Sequence, residues 1–162
     1  MAQYHFSCNE RGLIYGVRPR GGNGLFALKS GGEGTLRKSS VAWMFNGPTP
    51  DVCTPLYYKG SLYVLDGKSR KTLTCLDAKT GEQRWQGKLG GRGAWRASVT
   101  AADSKLYCIN ESSEVVVLAA DPKEFRILSR IDMQDGPVQA SIAIAGGRLF
   151  IRTSSKLFCV GK

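Results

Sequence analysis

Short runs of apolar residues, many alternating with polar ones, recur along the whole chain between turns rich in glycine, asparagine, aspartate and serine. Runs of this length and alternation are typical of β-strands that bury one or both faces. No stretch carries apolar residues at i, i+3, i+4 and i+7 for long enough to predict a stable helix. The pattern therefore predicts an all-β protein made of short strands.

The strand pattern repeats. One short apolar run recurs four times with a leucine in its second place, and the intervals between these leucines are 49, 44 and 43 residues. The marker leucines are Leu13, Leu62, Leu106 and Leu149. Polar residues eight positions earlier fall into the same register, at His5, Thr54, Ser98 and Ser141. Agreement at two separate places indicates true internal repeats.

Each of the first three repeats contains four predicted strands, and the fourth contains three. A four-stranded antiparallel unit that recurs every ~40–50 residues is typical of a β-propeller blade. We therefore predict that residues 1–162 form a single propeller segment of about four blades, the last of them incomplete. The predicted blades cover approximately residues 3–46, 53–89, 97–133 and 140–160.

One segment of the second repeat, Cys75–Trp85, reads CLDAKTGEQRW. It resembles the blade signature A-x-D-x-x-T-G-x-x-x-W of the quinoprotein-like (PQQ-like repeat) β-propeller family, with cysteine in the first place. The resemblance implies that Asp77 ends the third strand and that Thr80 and Gly81 form the turn. It also implies that Trp85 packs between neighbouring blades.

The other repeats keep parts of this signature. The first retains the tryptophan as Trp43, and the third places Ile127 at that position. Cys75, Cys108 and Cys159 stand where other repeats have small or aliphatic residues, so we expect all three thiols in the core.

The family resemblance implies two alternatives for function. One is a non-catalytic binding or scaffolding module, similar to the outer-membrane-assembly-lipoprotein-like repeat proteins. The other is a C-terminal fragment of a dehydrogenase that holds pyrroloquinoline quinone over a calcium ion. The sequence has no adjacent cysteine pair, and Asp51, Asp103 and Asp135 are dispersed. We therefore favour the non-catalytic module, assign no catalytic residue and expect no cofactor outside the dehydrogenase alternative.

Metal binding and export both lack a sequence signal. The five cysteines form no C-x-x-C pair and the chain has one histidine, so no metal site is predicted. No window resembles a membrane span, and the first eight residues lack the basic start and apolar core of a secretory signal. The family resemblance suggests a periplasmic or secreted protein, and the compartment is left open.

The chain is basic, with 23 Lys and Arg against 13 Asp and Glu, a net charge of +10. Such a surface favours anionic partners. In a propeller, the loops between second and third strands lie on one face together with the connections between blades. A candidate site for an anionic ligand on that face combines basic side chains with an exposed indole: Arg18, Arg20, Lys68, Arg70, Arg92, Trp95 and Arg96.

The alternative for this face is a set of solvated turn residues around a packed tryptophan. Nucleic acid is disfavoured as a partner because no strand face interleaves aromatic and basic residues.

The strand count predicts an open arc. The inner strand of the first blade begins at about Tyr4, which leaves no strand to complete the fourth blade. Both ends of such an arc would expose apolar flanks and strand edges, which favour association. We expect either the C-terminal half of a longer propeller or a chain that pairs with a protein partner or a second copy to complete the ring.

Overall fold

The computed structural model describes residues 5–8, 12–18, 24–32, 34–35 and 37–161. Over these residues the chain forms four antiparallel sheets, three with four strands and one with three. Helical structure within them is limited to the 3₁₀ turn Lys38–Ser40. Strand order in every sheet follows chain order, which is the arrangement of propeller blades. The predicted all-β propeller segment is confirmed.

The strands of each blade run from the innermost to the outermost. Blade 1 contains β1 (His5–Cys8), β2 (Leu13–Arg18), β3 (Gly24–Lys29) and β4 (Val41–Phe45). Blade 2 contains β5 (Leu56–Tyr58), β6 (Ser61–Asp66), β7 (Thr72–Asp77) and β8 (Gln83–Lys88). Blade 3 contains β9 (Thr100–Ala102), β10 (Lys105–Ile109), β11 (Glu114–Ala119) and β12 (Ile127–Asp132). Blade 4 contains β13 (Ala143–Ala145), β14 (Arg148–Arg152) and β15 (Leu157–Val160).

The outer strand of each of the first three blades carries a bulge at the same place, opposite Leu28, Leu76 and Leu118. The resulting pairing sets Trp43 opposite Ala27, Trp85 opposite Cys75 and Ser129 opposite Val117. The equivalent of the blade tryptophan in blade 3 is therefore Ser129, and the prediction of Ile127 is wrong. The reason is that the connection from β11 to β12 is two residues longer than that from β7 to β8.

The hydrophobic core lies between blades rather than within one. Three buried clusters fill the three junctions along the chain. Blades 1 and 2 enclose Tyr15, Val17, Leu25, Ala27, Trp43, Leu62, Val64, Leu76 and Ala78. Blades 2 and 3 enclose a larger cluster that includes Tyr63, Leu65, Leu73, Cys75, Trp85, Leu106, Cys108, Val116 and Leu118. Blades 3 and 4 enclose Ala97, Tyr107, Ile109, Val115, Val138, Ile142 and Ile151.

Each blade tryptophan bonds to the backbone of the next blade. The indole Nε1 of Trp43 donates to the carbonyl oxygen of Ala78 at 3.2 Å, and the hydroxyl of Tyr15 donates to the same oxygen at 3.0 Å. The indole Nε1 of Trp85 donates to the carbonyl oxygen of Asp121 at 2.8 Å. Both rings are buried, so they contribute apolar area and a satisfied hydrogen bond to the junction.

The signature turn of blade 2 is shaped by Asp77. Its Oδ1 accepts hydrogen bonds from the backbone N–H groups of Lys79 and Thr80, at 2.8 and 3.0 Å. The N–H of Gly81 donates to the Asp77 carbonyl at 2.8 Å, and Gly81 has a φ of 78°. A Cβ on Gly81 would lie 2.6 Å from ring atoms of Trp43. Glycine therefore serves both the turn and the packing of the previous blade's indole.

Hydroxyl groups link the innermost part of successive blades. The backbone N–H of Thr54 donates to Ser98 Oγ at 3.0 Å, and the N–H of Ser98 donates to Ser141 Oγ at 2.9 Å. These are three of the four polar residues that fall into register in the sequence. Their spacing thus reflects a hydrogen bond from each blade to the next.

The position of Trp85 leads to a first prediction. The ring packs edge-on against Phe125 of blade 3, with ring centroids 5.5 Å apart, so Trp85→Ala removes a contact between two blades. We expect the free energy of unfolding to fall by ~3–5 kcal/mol. Chemical denaturation should show this loss, while Lys79→Ala at an exposed turn should stay within about 0.5 kcal/mol of the parent. Equal midpoints for the two variants would contradict a structural role for Trp85.

Gly81 and Gly60 offer a matched pair for a second prediction. Both have positive φ, 78° and 76°, but a Cβ on Gly60 would meet nothing within 4 Å. Alanine at either position carries ~1–2 kcal/mol of backbone strain. Only Gly81→Ala also pushes into Trp43, for which we expect a further ~1–3 kcal/mol. Thermal unfolding of the two variants measures the difference, and an equal loss at both would mean that the Trp43 ring is not confined by the turn.

Candidate binding face

One face of the segment is formed by the loops between second and third strands and by the connections between blades; we call it the loop face. Backbone hydrogen bonds join the two kinds of loop. The N–H of Trp95 donates to the Gly67 carbonyl at 2.9 Å, and the N–H of Glu111 donates to the Ala94 carbonyl at 2.8 Å. In the next blade the N–H of Val138 donates to the Glu111 carbonyl at 3.0 Å. The repeat therefore builds one continuous surface.

Four of the predicted basic residues are exposed on this face. Arg18 ends β2, Lys68 and Arg70 lie in the β6–β7 loop, and Arg92 lies in the connection from blade 2 to blade 3. Within the described part of the chain, none of these four side chains makes an ion pair or a hydrogen bond. Arg20 lies outside the described residues. The structure thus brings four cations without a direct ion pair to one side of the molecule.

Arg96 differs from these four because it already has a partner. Its Nε lies 2.9 Å from Oε1 of Glu111, and the side chain is 38% exposed. The pair joins the connection before blade 3 to the β10–β11 loop. Arg96 is therefore occupied with holding the loop face together.

Most carboxylates of the loop face are also engaged. Glu114 lies 2.5 Å from Arg130 and accepts a second hydrogen bond from Asn110. Asp135 accepts from the hydroxyl of Thr153 at 2.7 Å and from Ser155. These hydrogen bonds hold the pKa of Asp135 below its ordinary value. The charge of Glu114 is offset by an ion pair, whereas Asp135 is held by neutral donors and keeps its negative charge.

A groove of about 520 Å³ lies at the edge of the loop face, between the connection after β8 and the outer strand of blade 3. Its lining residues are Gly91, Arg92, Ser112, Glu114, Arg130, Ile131 and Asp132. The guanidinium of Arg130 bonds to Glu114 and to the carbonyl of Leu89. Arg92 is the cation of this groove that has no internal partner. The sequence analysis missed Glu114 and Arg130, whose roles follow only from the pairing of β11 with β12.

The prediction that Trp95 presents an exposed indole is wrong. The side chain is 1% exposed, and its Nε1 donates to the Gly90 carbonyl at 2.9 Å. Val138, which makes the equivalent backbone bond in the next repeat, is also buried, at 2%. This backbone position points its side chain into the junction between blades. In the sequence, the apolar Val138 at the equivalent place of the next repeat already indicated that this position is buried.

Cys53 lies directly beneath the loop face. Its Sγ is 3.3 Å from the Trp95 carbonyl oxygen and 3.5 Å from that of Ala97. Burial, together with the nearby carboxylate of Asp51, raises the pKa of this thiol to about 12. Cys75 and Cys108 are buried as expected, but the prediction that Cys159 lies in the core is wrong. It is exposed because β15 is the last strand of its sheet and no described blade covers it.

A second cavity, of about 560 Å³, lies on the opposite side of the segment between blades 1 and 2. Arg84, which lines it, lies 2.5 Å from Asp77 and donates to Ser61 Oγ at 2.8 Å. Arg84 is therefore engaged by its neighbours. The exposed Lys79 of the same lining makes no ion pair among the described residues, so this cavity also carries a cation.

Two general features of the described residues complete the description of possible sites. They contain no group of three or more histidine, cysteine, aspartate or glutamate side chains placed to hold a metal ion. None of their helical structure is long and apolar enough to span a membrane.

We compared the sequence and the structure with those of known proteins. No family model matches the sequence. Tetrathionate hydrolase of Acidithiobacillus ferrooxidans is 30% identical over 105 residues, which cover 59% of this chain and 19% of that protein. BamB from Moraxella catarrhalis superposes on 96% of this chain and 45% of its own, with a TM-score of 0.72 and 15% identity. Quinohemoprotein alcohol dehydrogenase ADHIIG from Pseudomonas putida HK5 covers 93% of this chain and 29% of its own, with a TM-score of 0.62 and 15% identity.

These matches define the class of protein. The chain is a β-propeller segment with the blade architecture found in BamB and in the quinohemoprotein dehydrogenase. It spans about a fifth of the curated relative and less than half of the BamB chain.

The environment of Cys53 leads to a third prediction. Because its thiol is buried and its pKa is about 12, we expect no alkylation by iodoacetamide in the folded protein at about pH 8. Cys159 is exposed in the single chain and should react at a protein concentration low enough to keep the chain monomeric, so it serves as the internal control. Peptide mass spectrometry before and after denaturation separates the two sites. Alkylation of Cys53 at the rate of Cys159 would contradict a closed loop face.

Proposed function

We propose that this chain is a non-catalytic binding and scaffolding module of the quinoprotein-like β-propeller type, and that its loop face binds an anionic ligand or partner. The blade signature at Cys75–Trp85 and the fold shared with BamB support the type of propeller. The binding role rests on the charges of the loop face.

One observation carries the proposal. Arg18, Lys68, Arg70 and Arg92 are exposed without an ion pair among the described residues, whereas Glu111 and Glu114 of the same face are paired. An internal ion pair lowers the charge available to a ligand, so the four unpaired cations are the groups of this surface that remain able to contact an anion. Arginine adds planar donors that match carboxylate and phosphate groups in two-point contacts.

The scaffold suits such a role because the loop backbone is fixed. Hydrogen bonds between loops and the buried ring of Trp95 hold the connection before blade 3 in place. A Cβ on Gly67 would lie 1.7 Å from the Trp95 carbonyl oxygen, so the β6–β7 loop packs directly on that connection. A ligand that meets Arg70 and Arg92 therefore meets loops that are already ordered, which reduces the entropy lost on binding.

The fourth prediction is that a heparin oligosaccharide binds the folded chain and that binding weakens with added salt. Arg70→Gln/Arg92→Gln removes two of the unpaired cations and should weaken binding about tenfold or more, since each charge-assisted contact contributes on the order of 1 kcal/mol. Lys79→Gln/Lys123→Gln removes the same charge from exposed turns on the opposite face and is the matched control. Isothermal titration at low and at physiological salt measures both.

The two variants distinguish the possible results. Equal weakening in both would mean that heparin responds to net charge alone and would refute a specific loop-face site. No binding by the parent chain would leave the loop face as a solvated surface.

The dehydrogenase fragment is the second candidate, and the likeness to the quinohemoprotein alcohol dehydrogenase supports it. Pyrroloquinoline quinone and calcium added together provide its test. Saturable binding of the quinone, seen as calcium-dependent quenching of tryptophan fluorescence, would favour this candidate over the binding module.

A further inference from the structure

Each junction inside the chain joins the same two surfaces. We call the side of a blade that contacts the next blade its trailing face and the side that contacts the previous blade its leading face. The trailing face of blade 2 contains Tyr63, Leu65, Leu73 and Cys75, none of them more than 1% exposed. The leading face of blade 3 covers them with Leu106, Cys108, Val116 and Leu118. The strand register gives every blade one face of each kind.

The trailing face of blade 4 has no neighbour among the described residues. Its cross-strand pairs are Phe150–Cys159 and Arg152–Leu157, which occupy the places of Tyr63–Cys75 and Leu65–Leu73 in blade 2. Leu157 is 65% exposed, and Cys159 is also exposed. Apolar side chains at positions that are buried in the inner blades are therefore open here.

The leading face of blade 1 is also incompletely covered. Its pair Ile14–Leu28 occupies the place of Leu62–Leu76 in blade 2. Leu62 and Leu76 are fully buried by blade 1, whereas Ile14 and Leu28 are half-buried. The segment thus carries both halves of one blade junction, at opposite ends.

The hydrogen bonds that link the innermost parts of successive blades also support an open trailing face on blade 4. We call this series of bonds the hydroxyl ladder. The N–H groups of Thr54 and Ser98 each donate to the serine of the following blade. Ser141 is exposed, and its own N–H has no acceptor among the described residues. A blade placed against the trailing face of blade 4 can continue this ladder.

We propose that the trailing face of blade 4 binds the leading face of blade 1 from a second copy of this chain. A two-fold axis along the central channel lets two copies form this junction twice, with no apolar face left over. The closed assembly then has eight blades, within the four to eight typical of propellers. The argument for a second copy is that the complementary surface is present on this same chain, in the register of its own inner junctions.

The fifth prediction tests this association with the full 162-residue chain. Light scattering after size exclusion at micromolar concentration should give twice the 17.6 kDa of one chain. Leu157→Glu places a charge in the proposed junction and should raise the dissociation constant of the dimer at least about tenfold. Because Leu157 is exposed in the single copy, this variant should keep the parent circular dichroism spectrum. Leu128→Glu, at a 43% exposed position of the inner blade 3, is the matched control.

A mixing experiment tests the head-to-tail arrangement. Leu28→Glu places a charge in the leading face of blade 1, as Leu157→Glu does in the trailing face of blade 4. Each of these two variants alone should therefore be monomeric. A mixture of Leu157→Glu and Leu28→Glu chains retains one intact junction between the two variants and should recover part of the dimer. If the association joined trailing face to trailing face, Leu28→Glu alone would remain dimeric.

Three results would overturn the proposal. They are a monomeric parent chain, a dimer that Leu157→Glu leaves unchanged, and an open-ended series of larger assemblies in place of the closed dimer. A heterologous partner as the true occupant of the flank would produce the first of these. Binding of heparin to the loop face does not enter this measurement, so the two proposals fail independently.

Discussion

Burial of apolar side chains between adjacent blades is the interaction on which the rest of this structure depends. A single four-stranded sheet of this size has no interior, and the buried clusters of the segment all lie at junctions. The blade tryptophans add a directional element because Trp43 and Trp85 each bond to a backbone carbonyl of the following blade. Stability in such a repeat is a sum over neighbours, so the first and last surfaces of an arc are its weakest places.

The same packing decides which groups remain available for binding. Trp95 is drawn into the junction between blades 2 and 3, and Arg96 is held by Glu111 beside it. What is left on the loop face is a set of cations on short loops whose backbone is fixed by hydrogen bonds. The proposed binding surface is therefore a consequence of the blade repeat: the junctions fix the loops, and residues that the junctions do not use carry the charge.

The sequence predicted much of the architecture because several positions of each repeat carry the same type of residue. Strand alternation, the leucines Leu62, Leu106 and Leu149 and the polar residues at Thr54, Ser98 and Ser141 all follow from contacts that recur between blades. In the first repeat the strand register assigns the place of Leu62 to Ile14 and not to Leu13. The errors fall where one repeat departs from the others. Ser129 replaces the expected Ile127 because the preceding connection is longer, and Cys159 is exposed because its blade has no neighbour on that side.

The sequence by itself determined the all-β class, the blade repeat, the turn chemistry of Asp77 and Gly81 and the excess of positive charge. These features depend on local alternation, on short-range hydrogen bonds and on composition. Only the tertiary structure decided which charges are free, since Glu111, Glu114 and Arg130 find their partners through loop and strand pairing. It also decided that Trp95 belongs to the core and that Leu157 and Cys159 are exposed, because both depend on which face of a strand meets the next blade.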